Sequence, residues 1–179
     1  MTNKFSSIIT IISLLSALCS SQNNELADST KVKLIQTARE IIASSGTCEL
    51  TTIDNEGLVR TRVMSPFAPE SDMTIWLGTN SNSRKVQQIK NNPKVTLFYL
   101  DSDKSGYVTI QGNAELINDT ELKNVYWKPE WERFYPNRPD GYILIKVIPK
   151  WMEVLSYSRG IFGDSMTWEP PKVIFNQEY

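Results

Sequence analysis

The chain contains no histidine and two cysteines, Cys19 and Cys48. The first absence removes His-based triads, His metal sites and His acid–base chemistry together. Two cysteines exclude a disulfide scaffold and a Cys-rich zinc site, and Cys48 reads as a small core residue before it reads as a nucleophile. A net charge of -1 gives no electrostatic case for nucleic acid, which would call for a basic face or stripe, so no nucleic-acid partner is expected. No Gly-rich phosphate loop of the Walker type and no dinucleotide fingerprint occurs. Long hydrophobic runs are missing too: the most apolar stretch, Ile8 to Leu18, is too short to span a bilayer as a mature helix.

That stretch lies in a segment with the form of an export signal over 1–21, with Lys4 as its positive start and small residues at Ala17, Ser20 and Ser21. An uncleaved apolar segment is the plainer reading. Cys19 also admits a lipidated amino terminus, although the Leu18 before it departs from the usual lipoprotein pattern. The expectation is an exported protein of a bacterium, periplasmic or held at the membrane through a lipid anchor. A polar linker over 22–28 follows. The 40% hydrophobic content is ordinary for a globular protein, and 179 residues suffice for one domain with a sizeable core.

In the remainder, a helix is expected from Ser29 or Thr30, with Val32, Ile35, Ala38, Ile41 and Ile42 on one face and Gly46 as its stop. Cys48–Ile53 and Leu58–Met64 form a hairpin around Asp54-Asn55-Glu56-Gly57. Further strands are expected over Met73–Gly78, Val95–Leu100, and Tyr107–Ile117 with a bulge at Gly112. Two last ones, Gly141–Ile148 and Trp151–Tyr157, are separated by Pro149. Short helices start at Ser83 and at Asp119 or Thr120, and 159–179 reads as a loop tail. Six or seven short strands with few helices give a mainly β (α+β) protein, a six-stranded antiparallel barrel with a few peripheral helices, and not a doubly wound sheet.

Within this frame the basic residues stand out. Thr79-Asn80-Ser81-Asn82 leads from an apolar strand into Ser83-Arg84-Lys85 at a helix start, where unpaired amides, the macrodipole and two full charges suit an anion. A solvated helix start is the alternative. Arg60 and Arg62 share one face of their strand, which is either a solvent face or an anion site.

Arg62-Val63-Met64, an apolar strand ending in Thr79, then Ser83-Arg84-Lys85, Ile89 and Asn92-Pro93-Lys94-Val95 resemble the flavin-binding region of the pyridoxamine 5'-phosphate oxidase-like split-barrel family. Tyr107-Val108-Thr109-Ile110-Gln111-Gly112-Asn113-Ala114-Glu115 continues the resemblance. The run Trp127-Lys128-Pro129-Glu130-Trp131-Glu132-Arg133-Phe134-Tyr135-Pro136 and the strand Gly141 to Val147 are similar to the general-stress-protein branch. The resemblance spans about Ala27 to Tyr157. It implies a split barrel over 29–158 that holds FMN at the interface of a homodimer. Arg62 and Lys85 would contact the flavin phosphate with Arg84 and Ser83 assisting. Val63 and Met64 would line the isoalloxazine, and Thr79 would hydrogen-bond near the phosphate or ribityl chain. Tyr107 falls where the oxidases carry a polar ring-contacting residue. Arg60 lies outside the pattern and keeps its solvated reading.

The true oxidases end with a Trp and an Arg-Leu-His-Asp-Arg type motif that this chain lacks, so pyridoxamine phosphate is not the expected substrate. A flavin enzyme needs no histidine, because the cofactor carries the redox chemistry. The expectation is therefore a flavin-dependent oxidoreductase acting on an unidentified small molecule. A stress protein that holds flavin or another anionic ligand without turnover is the alternative, and an exported interaction protein with a decayed pocket is a third. The aromatic group Trp127, Trp131, Phe134 and Tyr135 serves core or dimer packing, or covers a ligand.

Overall fold

The computed structural model describes residues 28–175, so the expected export segment 1–21 lies outside the described residues. Residues 28–45 are helical (α1). Backbone contacts divide the chain into a unit ending at Gln36 and a unit beginning at Thr37. Within the first, Val32 is exposed, contrary to the apolar face expected for it. Within the second, Ala38, Ile41 and Ile42 are buried as their helical spacing requires.

Among the described residues, seven strands form one antiparallel sheet: β1 Cys48–Ile53, β2 Val59–Met64, β3 Ile75–Asn80, β4 Lys94–Leu100, β5 Gly106–Ile117, β6 Tyr142–Ser156 and β7 Lys172–Ile174. Their order is β2-β1-β4-β5-β6-β3, with β7 alongside β6. Helix α2 (Arg84–Asn91) joins β3 to β4, while α3 (Thr120–Val125), a 3-10 turn (Pro129–Trp131) and α4 (Arg138–Gly141) join β5 to β6. Alternation places Leu50, Leu97, Ile110 and Met152 side by side across four strands, and all four are buried. β3 is buried along nearly its whole length, as its apolar run suggests.

The mainly β expectation holds, with one strand more than the six expected, and the sheet is not closed. β2 and β3 stand at its two ends, and a single isolated bridge, Pro66 to Leu77, links them. The seam between these two edges is the feature that positions the site.

Three local expectations are corrected. β3 begins at Ile75, because Met73 takes a left-handed conformation (φ 67°) in a turn closed by Met73 N–H donating to Glu70 O. Pro149 does not split the last strand in two. It sits opposite Gly112, where the β5–β6 register shifts, beyond the last β3 pair at Val147 and before the first β7 pair at Trp151. A residue without an N–H therefore interrupts no ladder there. The tail contains β7, whose three residues are too few to show periodicity; Lys172 ties it to β6 by pairing with Glu153 at 3.2 Å.

Candidate functional site

Arg62 lies in β2 on the face turned toward α2. Its Nη1 donates to Leu50 O (3.1 Å) and Thr52 Oγ1 (2.7 Å), and its Nη2 donates to Gln88 Oε1 (2.9 Å). The Thr52 hydroxyl donates in turn to Gln88 Oε1 at 2.6 Å, and both residues are buried. Neither was singled out from the sequence. The signal was present: Thr52 follows Cys48 and Leu50 at an inward position, and Gln88 lies between Val86 and Ile89 on the buried face of α2.

Across the seam, Lys85 Nζ donates to the buried Thr79 Oγ1 (3.0 Å), which lies 3.4 Å from Ser83 Oγ. Ser83 is the N-cap residue of α2, in extended conformation, yet its side chain caps no amide, and the first turn carries no acidic residue. The amides at this helix start therefore lack the usual side-chain acceptor.

Arg62, Arg84 and Lys85 thus converge from β2 and α2. Among the described residues, no carboxylate pairs with any of them. Burial pushes the Arg62 guanidinium below its ordinary range, and Arg84 adds to the shift. Burial likewise pulls the Lys85 ammonium down, with Arg62 and then Arg84 contributing. Such mutual depression marks a cluster that lacks a counter-anion. Arg60 is different: its Nε pairs with Asp54 at 2.7 Å, which holds that carboxyl below its usual value.

The remaining candidates are distributed differently. Met64 is buried, whereas Val63 is 65% exposed. Val63 pairs with Glu49, Glu49 with Phe98, and the Phe98 and Tyr107 rings are 5.4 Å apart. Val63 and Tyr107 therefore share the outer face of the sheet, opposite to Arg62. Within one chain the structure joins Arg62, Thr79, Ser83, Arg84 and Lys85, and leaves Val63 and Tyr107 apart from them.

Of the aromatic run, Trp131 packs with Trp76, Tyr142 and Leu144, and Phe67, Tyr126, Trp127 and Tyr135 surround them. Phe134 is exposed. A cavity of about 350 Å³ lies beside α2, lined by Asp54, Arg60, Arg84 and Gln88 among others. A larger one of about 410 Å³ lies away from the cation cluster, against Thr51, Val59, Lys94 and Lys150.

The fold is thus a mainly β, open antiparallel sheet with three cations gathered at the seam between its two end strands. The family model described as "Pyridoxamine 5'-phosphate oxidase like" matches residues 33–160, and the chain belongs to that family. General stress protein 26 of Bacillus subtilis is 31% identical over 93 residues, which cover 50% of this chain and 65% of that relative. The chain thus spans less than two thirds of that protein's length. The crystal structure of General Stress Protein 26 from Bacillus anthracis is similar with a TM-score of 0.61 at 24% identity, covering 81% of this chain and 98% of that one. A pyridoxamine 5'-phosphate oxidase-related, FMN binding protein from Nostoc punctiforme has a TM-score of 0.56 at 14% identity, covering 84% and 95%.

Proposed function

We propose that this chain binds FMN through its phosphate at the seam between β2 and β3. The observation that carries the reading is the convergence of Arg62, Arg84 and Lys85 with no carboxylate paired to them among the described residues. A phosphate fits that donor set. Arg62 is held in place by Leu50 O, Thr52 and Gln88, and Lys85 is held by Thr79, so little ordering remains to be done on binding. The uncapped start of α2 adds amide donors and the positive end of its dipole. Bound FMN would supply hydride or electron transfer, and the protein supplies binding, orientation and electrostatics.

The reading extends to a flavin-dependent oxidoreductase acting on a small molecule, working as a homodimer. Support for the dimer is the outer face that carries Tyr107 together with the exposed Val59, Val63 and Leu100. A second copy covering it would bring such outer-face residues to the seam. Export through 1–21, with or without lipidation at Cys19, is part of the proposal and rests on the sequence pattern alone.

Protein purified without added cofactor should be yellow and release FMN on denaturation; colourless protein that also ignores added FMN would refute the reading. Reduction of the bound flavin by a nicotinamide donor, followed by reoxidation, would separate an enzyme from a protein that only holds flavin.

A further inference from the structure

Lys128 takes no part in the cation cluster. It follows α3, and its Nζ donates to Ser65 Oγ (2.7 Å) and Pro66 O (3.0 Å), just past the end of β2. The ammonium stands 5.0 Å from the Phe67 ring centroid and 5.3 Å from that of Trp131. Among the described residues no carboxylate pairs with it. Four fixed contacts on a long side chain hold one positive charge at one place.

That place lies farther along the same seam. Ser65 follows Arg62 by three residues of nearly extended chain, roughly 10 Å at about 3.3 Å per residue. A ligand anchored by phosphate at the cluster can extend in either direction. Toward the β1–β2 turn it meets Asp54, Glu56 and Arg60, a charged surface unsuited to a flat apolar ring. Toward Pro66 it meets the apolar side chains of Met64 and Phe67, as far as the bridge from Pro66 to Leu77, where Phe67 N–H donates to Trp76 O. The second direction suits the isoalloxazine.

We propose that Lys128 sets the redox behaviour of the bound flavin by fixing a positive charge at the ring end of the seam. This rests on the FMN reading above. A two-electron reduced flavin carries more negative charge on its ring than the oxidised form. A cation held beside the ring therefore favours the reduced form and raises the reduction potential. Lys128 is a tuning residue: it binds no phosphate and transfers no proton in this role.

The test compares the protein loaded with FMN with its Lys128→Gln variant, which keeps donors for Ser65 and Pro66 but removes the charge. Reductive titration against a reference dye should show the variant's reduced form bound at least tenfold less tightly relative to the oxidised form, a fall of about 30 mV in potential. Oxidised FMN should bind both within about threefold, and Lys128→Arg should restore the potential. A change below twofold, about 9 mV, with FMN bound would overturn the proposal. So would a folded Lys128→Gln variant that loses oxidised FMN, because the residue would then be a general binding group. Ser65→Asp, which pairs the intact lysine with a carboxylate, provides a second variant with the same expected fall if Lys128→Gln does not fold. Wild-type protein that binds no FMN sinks this inference together with the flavin reading. Bound FMN with an unmoved potential sinks this inference alone.

Discussion

Replacing Lys85 by methionine tests whether the cation cluster is a binding site or a surface accident. The wild-type ammonium is partly buried beside Arg62 and Arg84, and its pKa lies below the ordinary lysine value. A lysine whose folded pKa lies below its unfolded pKa binds fewer protons folded than unfolded between the two values. Stability therefore rises with pH across that window, and the penalty of the charged form is fully present at neutral pH. Methionine removes this penalty, and it also removes the hydrogen bond to Thr79, worth about 1 kcal/mol. The two changes oppose each other, so the ligand-free protein should shift by no more than about 1 kcal/mol, or roughly 2–4 °C in Tm. The ligand, by contrast, loses a charge-assisted hydrogen bond worth about 1.5–3 kcal/mol. FMN should bind roughly tenfold to 150-fold more weakly. Quenching of FMN fluorescence at fixed ionic strength measures the affinity, and calorimetric melting of ligand-free protein measures the stability. A loss of affinity below about threefold would show that Lys85 does not touch the phosphate. A fall in ligand-free Tm well beyond 4 °C would show that the lysine holds the fold instead.

Three further outcomes are expected. Affinity for FMN should decline as pH rises into the lowered titration range of Lys85, because the neutral amine no longer attracts phosphate; an affinity constant up to pH 10.5, the ordinary lysine value, would contradict the assignment. Arg159→Ala should destabilise the protein by about 3 kcal/mol in urea unfolding, because it strips the ion pair from Asp101, which is 2% exposed; a loss under about 1 kcal/mol would mean that the Ser44 hydroxyl suffices for that carboxylate. Gly112→Ala should cost about 1–3 kcal/mol, read in the same unfolding assay, since a Cβ there would lie 2.2 Å from Ile148 O; an unchanged midpoint would mean that the β5–β6 bulge yields freely.

The local units follow from short-range pattern alone. Alternation in Cys48–Ile53 and its neighbours, the polar turn at 54–57 and the helix start at Ser83 lie within a few residues of one another, so short-range geometry alone specifies them. The absence of histidine likewise excludes whole classes of chemistry without any fold. The candidates Arg62, Thr79, Ser83, Arg84 and Lys85 were legible for a similar reason, since Thr79 to Lys85 is a single strand–helix junction and Arg62 belongs to the same resemblance.

What lay beyond the sequence depends on which strand becomes whose neighbour. β3 pairs with β6, more than sixty residues later, and this leaves its other edge facing β2. That pairing creates the seam, brings Lys85 across to the side of Arg62, and sets Thr52 and Gln88 as the supports of the arginine. It also puts Tyr107 on the opposite face, because a period of two residues fixes faces only relative to a neighbour that must first be known. Pro149 continues its strand because a register shift at Gly112 on another strand receives it. Lys128 reaches Ser65 and Pro66 across more than sixty residues of chain, and no spacing in the sequence encodes a contact of that kind.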